Sequence, residues 1–292
     1  MGERIPMKTA ILTDTNSGIF ASEAKQLGIF SLPMPVIIDE KTYFEGKDLT
    51  ESEFYEILSS ERSVSTSQPA VGSVLEQWDR LLADGYDAIV YIPMSSELSS
   101  SCEVATILAE DYAGKVFVAD NHRISVTLRH AVLQAKQMAD EGMDPRSIKD
   151  RLEADAYRAT IYISVNTLEF LKRSGRVTPA AAMLGTALGI KPILTIQGGK
   201  LDAFSKGMSM RRCEVKMIEA IQNDLQKRFP EAKTENVHIG AAGTLLSDKD
   251  REYWMGALRE AFPGADVFYS PLSLSIGCHV GPGAIAAGAC VN

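Results

Sequence analysis

Short apolar runs alternate with longer amphipathic stretches along almost the whole chain. A short apolar run bounded by turn residues reads as a strand buried on both faces, and strands of that kind are joined by crossover helices. The pattern predicts strands over 9–13, 88–92 and 116–119. A helix over 98–112 lies between the last two, stopped by Gly114. Strand, helix and strand within about 30 residues make a parallel βαβ unit. The second half continues the rhythm, with strands over 160–164, 237–240 and 265–268. Gly198-Gly199 marks a hairpin between 192–196 and 200–204. Helices are expected over 211–228, halted by Pro230, and after a Ser247-Asp248 cap, ended by Pro263-Gly264. The fold class is therefore α/β.

At 292 residues the chain suits one large or two medium domains. The weakest seam is at 155–158, which divides it into α/β lobes over 1–157 and 158–292; a cleft between lobes is where ligands usually sit. A net charge of −8 argues against a general nucleic-acid binder. Cys102, Cys213, Cys278 and Cys290 form no C-x-x-C pair, so they read as reduced cysteines and suggest no metal site. No apolar run approaches the roughly 20 residues of a membrane-spanning helix. Residues 1–6 lack a signal-peptide core. A cytoplasmic location is expected.

Three polar segments stand at turn or helix-start signals. Thr66 and Ser67 precede Gln68-Pro69, and their hydroxyls either donate to an anion or cap a helix over 71–82. Ser95 and Ser96 lie past the carboxyl end of a predicted strand, at the start of a helix. In open α/β sheets that is a ligand position, and equally a helix cap. No Gly-x-Ser-x-Gly surrounds them, which argues against a nucleophile elbow. His279 precedes Gly281-Pro282-Gly283, whose glycines let backbone approach a ligand; a structural histidine is the alternative. Cations cluster in Leu171-Lys172-Arg173-Ser174-Gly175-Arg176 and again at Lys206, Arg211, Arg212 and Lys216, as solvated charge or as a docking patch. Residues 179–194 are nearly free of charge, which suits close packing or a channel for a chain-like ligand.

In combination these residues resemble the DegV family of fatty-acid-binding proteins over nearly the whole chain. The matching pieces run in the family's order. They are Asp14 with Ser17-Gly18, Thr66-Ser67-Gln68-Pro69, Ser95-Ser96 with Leu98-Ser99, Asp120 with Ser125, the 171–176 run, Lys206 with Arg212, and His279-x-Gly-Pro-Gly-Ala. The resemblance implies two α/β lobes of the DegV type with a lipid-binding cleft between them, and no catalytic turnover by this chain. It implies a long-chain fatty acid whose carboxylate is held by Thr66, Ser67, Ser95, Ser96 and His279. Ser125, Met183, Leu184, Ala187 and Ile193 are candidates for the acyl tunnel. Arg173, Arg176, Lys206 and Arg212 match positions that meet an ATP-dependent fatty acid kinase subunit, which makes acyl-phosphate for phospholipid synthesis.

No cofactor or metal is expected on this chain, since it has no phosphate-binding Gly-x-x-x-x-Gly-Lys-Ser/Thr; ATP and magnesium would belong to the kinase. Contact with membranes would be transient, for lipid exchange. Two other functions are weighed: a lipid-sensing regulator with no kinase partner, and an esterase using Ser96, His279 and Asp120. Four residues depart from the family pattern. Glu97 and Ser100 replace glycines in the serine segment, and Glu97 would set negative charge beside a carboxylate unless it faces solvent. Thr127 and Arg129 replace glycines after Ser125, and an Arg129 that reached the tunnel would shorten it.

Overall fold

The structure, a computed structural model, describes residues 7–184 and 189–292. The opening apolar run forms β1 (Thr9–Asp14), buried from Ala10 onward. Helix α1 (Ala21–Leu27) returns the chain to β2 (Phe30–Leu32), parallel to β1. The chain then leaves that sheet. It builds a small antiparallel sheet from β3 (Pro35–Ile38), β4 (Lys41–Phe44) and, after α2 (Glu51–Leu58), β5 (Val64–Thr66), in the order β4-β3-β5. Helix α3 (Val71–Ala83), β6 (Ala88–Ile92), α4 (Ser101–Ala109) and β7 (Val116–Val118) complete a four-stranded parallel sheet, β2-β1-β6-β7. The expected βαβ unit is present. Its helix is shorter than the pattern suggests, because residues Glu110–Tyr112 tighten into a 3-10 turn.

Helices α5 (Ser125–Asp140) and α6 (Pro145–Ala154) lead to the second sheet. It begins with β8 (Ala159–Ser164), then α7 (Glu169–Ser174) and α8 (Pro179–Ala182). The hairpin β9 (Lys191–Ile196) and β10 (Asp202–Gly207) follows, then α9 (Met210–Lys227). The chain ends through β11 (Val237–Gly243), α10 (Asp248–Ala261), β12 (Asp266–Tyr269), α11 (Leu274–Val280) and β13 (Ile285–Val291). The strand order is β10-β9-β8-β13-β11-β12. Only β11 and β12 pair in parallel, so this sheet is mixed and not the second run of parallel units that the rhythm suggests. Among the described residues, no strand up to Val118 shares a sheet with one after Ala159.

The last strand departs most from expectation. The pattern of apolar runs places no strand after 284, yet β13 is central and all seven of its residues are buried. Its small side chains follow from what presses on it. A Cβ on Gly288 would stand 2.8 Å from the Thr160 carbonyl oxygen and 3.1 Å from a Val126 methyl. Val126 lies on α5, which packs on β1 on one side and on β8, β11 and β13 on the other. One apolar cluster runs through it, from Ile11 and Val90 to Ile161, Leu194 and Ala286. Among the described residues no helix is long and apolar enough to cross a membrane, and no cluster of histidine, cysteine and acidic residues could hold a metal ion. The four cysteines are buried and unpaired by disulfides.

Candidate functional site

A cavity of about 240 Å³ opens where the three sheets converge. Its near wall is made by the carboxyl ends of the parallel strands, which bring Asn16 and Met94, and by Thr66, Ser67 and Gln68 at the end of β5. Such strand ends are the usual ligand position in an open α/β sheet. The far wall is one face of the second sheet. Along β8, Ile161 and Ile163 face the cavity, while Thr160 and Tyr162 donate to the Asp224 carboxylate on α9. This is the period-two alternation of a strand covered on both sides. Ile196 pairs with Ile161 and extends the same apolar face. The remaining walls come from Ile124 and Ser125 at the start of α5, Leu98, Ser99 and Ser100 before α4, Leu171 and Arg176, and Ser275, Ile276, His279 and Val280 on α11.

Two of the polar wall residues meet directly. Thr66 Oγ1 and His279 Nε2 share a hydrogen bond of 2.9 Å across 213 positions of sequence. Helix α11 holds the histidine there. It is capped by Ser273, whose hydroxyl accepts from the Ile276 N–H and donates to Asn16 Oδ1 at 2.7 Å. Burial, with the Arg176 and Arg173 charges nearby, pushes the imidazole down to about 4, so the ring is neutral at ordinary pH. Its Nδ1 is buried without a partner. In either tautomer one donor of the pair stays free: Nδ1–H if Nε2 accepts, the threonine O–H if Nε2 donates. Arg176 is the one charged residue on the wall among the described residues. Ser125 supplies a second orphan: its hydroxyl is buried and unbonded, and its φ of +55° is unusual for serine. An apolar chamber with a few free donors is built for an anion or polar head carrying an apolar body.

The same polar corner faces outward as well. A surface depression of about 230 Å³ is lined by Ser65, Phe170, Arg173 and Cys278, and shares Thr66, Arg176 and His279 with the buried cavity. Arg173 is exposed and lies over the Phe170 ring, 5.5 Å from its centre.

The structure sorts the residues that the sequence singles out. Thr66, Ser67 and His279 come together on the cavity wall. Neither Thr66 nor Ser67 caps a helix: α3 begins at Val71 behind Ala70, which offers no side-chain cap, and Thr66 ends a strand. Ser95 and Ser96 are not on the wall. The Ser95 hydroxyl is buried, donating to the Gly198 carbonyl and accepting from the Glu97 N–H, and the Ser96 N–H is held by Asp120. Ser99 and Ser100 line the cavity instead, because the turn over 95–99 delays α4 by one turn. The glycines after His279 serve packing, since a Cβ on Gly281 would stand 2.6 Å from the Phe170 ring and one on Gly283 2.5 Å from the Asn166 amide.

Of the tunnel candidates, Ser125 is on the wall. Ile193 is one residue out of phase on β9 and packs with Cys213 and Met217 beneath α9. Leu184 packs at the edge of the main core, and Met183 is 79% exposed. Ala187 falls outside the described residues. Among the cations, Arg176 lines the cavity and Arg173 its outer mouth, whereas Lys206 lies exposed on β10 and Arg212 on the first turn of α9. Glu97 is exposed and off the wall, and Arg129 is bound by Glu23 and the Gly18 carbonyl, away from the cavity. Thr127 turns its hydroxyl to the Ile124 carbonyl. The apolar wall was readable in part: the alternation in 160–164 marks two faces, though nothing local says which face lines a cavity.

Comparison with known proteins bears on both fold and kinship. The chain resembles a DegV domain-containing protein of Listeria monocytogenes, 30% identical over 282 residues, covering 95% of this chain and 96% of that one. A DegV domain-containing protein of Streptomyces coelicolor is 29% identical over 275 residues, covering 94% and 95%. Among solved structures, a fatty-acid-binding DegV family protein of Thermus thermophilus superposes with a TM-score of 0.85 at 24% identity, over 98% of this chain and all of that one. A stearic-acid-binding protein of Eubacterium ventriosum gives 0.85 at 20% identity, over 98% of each. Both share this fold. The family model described as an uncharacterised protein of the DegV family matches residues 8–292, and with it the chain belongs to the DegV family.

Proposed function

We propose that this protein binds a long-chain fatty acid in the cavity between its sheets and presents the carboxylate to an ATP-dependent kinase for conversion to acyl-phosphate. One observation carries the reading: Thr66, Arg176 and His279 belong at once to the buried apolar chamber and to the surface depression beside Arg173. A carboxylate held there has its hydrocarbon chain buried and its oxygens within reach of a docked enzyme. The related solved proteins bind fatty acids, which supports the same ligand class here. Burial of the chain supplies the affinity, about 0.8 kcal/mol per CH₂, and the donors at the head fix its orientation. The chain acts as a binding subunit, with ATP and magnesium on the partner and no cofactor of its own. Arg173, Arg176, Lys206 and Arg212 are the docking cations, and the two sheets with their helices are two lobes meeting near 157–158. The esterase alternative loses its geometry, since Ser96 is off the wall and Asp120 holds the Ser96 N–H.

The test is direct. Protein purified from a bacterial host and denatured should release fatty acid detectable by mass spectrometry. Thr66→Ala and His279→Ala should keep the fold, and each should lower acyl-phosphate formation with a cognate kinase at least tenfold, a loss of about 1.4 kcal/mol or more. Absence of bound lipid together with no uptake of added fatty acid would sink the reading.

A further inference from the structure

The buried cavity has a neighbour. A void of about 20 Å³ lies beyond Ile124, Ile161 and Ile196, and these three residues line both spaces. Its other side is formed by His122, Tyr157, Gln197 and Gly198, with the His122 ring stacked on Tyr157, centres 5.5 Å apart and planes within 16°. The void sits at the start of β8, among Ala156, Ala159 and Thr160. His279 stands at the opposite end of that strand. Helix α11 feeds β13, whose first residue, Ile285, pairs with Ser164 at the end of β8. The cavity therefore runs along β8 from the polar corner to the isoleucine partition.

We infer that the partition of Ile124, Ile161 and Ile196 sets the longest hydrocarbon chain this protein can bury. The inference rests on the fatty-acid reading above. A chain anchored by its head at Thr66 and His279 grows toward the partition with each added carbon. Up to that point every CH₂ adds about 0.8 kcal/mol, close to fourfold in Kd. Past it, the tip must displace packed isoleucines, so the gain stops. The void behind has room for a chain end once one isoleucine is cut back, and the exposed Tyr157 is its outer cover.

The experiment measures Kd for saturated fatty acids of increasing even chain length, with wild type, Ile161→Ala, Ile196→Ala and Ile196→Phe. Thermal unfolding confirms that each variant is folded. Wild type should gain about fourfold per CH₂ up to a break length and then level off. The alanine variants should move the break to longer chains, and Ile196→Phe, which fills space and leaves the strand pairing intact, to shorter ones. If wild type binds fatty acids with a break that none of the folded variants moves, the partition is overturned and the ligand class stands. If wild type binds no fatty acid of any length, the reading of the cavity falls and the partition with it.

Discussion

His279 is neutral because it is buried, and that has a cost that depends on pH. Its ring titrates near 4 in the folded protein, against an ordinary value of 6.5. Between those values the unfolded chain binds the proton and the native ring does not, so acid favours unfolding. Stability contributed by the neutral ring is complete above about 6.5 and is lost as pH falls toward about 4. The full swing is on the order of 3 kcal/mol. Wild type should therefore lose stability against His279→Gln over that interval, read as the difference in Tm between the two proteins at each pH. A constant difference would refute it. His130, also pushed down to about 4, is present in both proteins and cancels. The pairing of His279 with Thr66 was not legible in either segment by itself, because 213 positions separate them and each has a commonplace local explanation; only the family resemblance put them at one site. Their chemistry was legible, since hydroxyl and imidazole at turn signals suit an anion. Ser95 shows the reverse. Its position past β6 reads as a ligand site, but a buried carbonyl at Gly198 claims the hydroxyl.

Strands announced by branched side chains were the easy ones. β6 is a run of isoleucine, valine and tyrosine after Ala88, and β1 has Ile11-Leu12 flanked by threonines, and both appear where the pattern places them. β13 carries Ala-Ala-Gly-Ala-Cys, a composition with weak strand preference. It is a strand because β8 and β11 pair with it on either side, and its middle is small because Thr160 and Val126 crowd Gly288. Gly288→Val should accordingly destabilise the protein by about 1–3 kcal/mol, as overpacking does, and denaturant unfolding would measure it. An unchanged midpoint would mean that the contact with Thr160 and Val126 relaxes freely. α11 was missed for a related reason. Seven residues with a glycine inside make a poor helix by composition, and it exists because Ser273 caps it and Phe54, Tyr55 and Phe170 surround it.

The two sheets share a core, and α5 is the shared wall. The second sheet begins at Ala159, and sequence cannot show that a helix lying before it, α5, packs on both sheets. The tryptophans offer a test, because Trp78 is buried behind the parallel sheet and Trp254 behind the mixed one. Single-tryptophan variants, Trp78→Phe and Trp254→Phe, should report unfolding curves that each match the far-UV transition of the same protein, the signature of one cooperative unit. Two separated midpoints within one variant would show that the sheets melt independently. The position of β13 has a bearing on how the molecule comes into being. Without that strand, β8-β9-β10 and β11-β12 are two fragments with open edges, and β13 must slide between them. Chains are made from the amino terminus, and late, distant pairings are slow. α11, which carries His279, reaches its place against β3 and β5 just before that closing strand. A nascent chain thus has no chamber to fill. The chamber is complete only once β13 is in place between β8 and β11, so it arises late, as a property of the whole assembled molecule and of neither sheet alone.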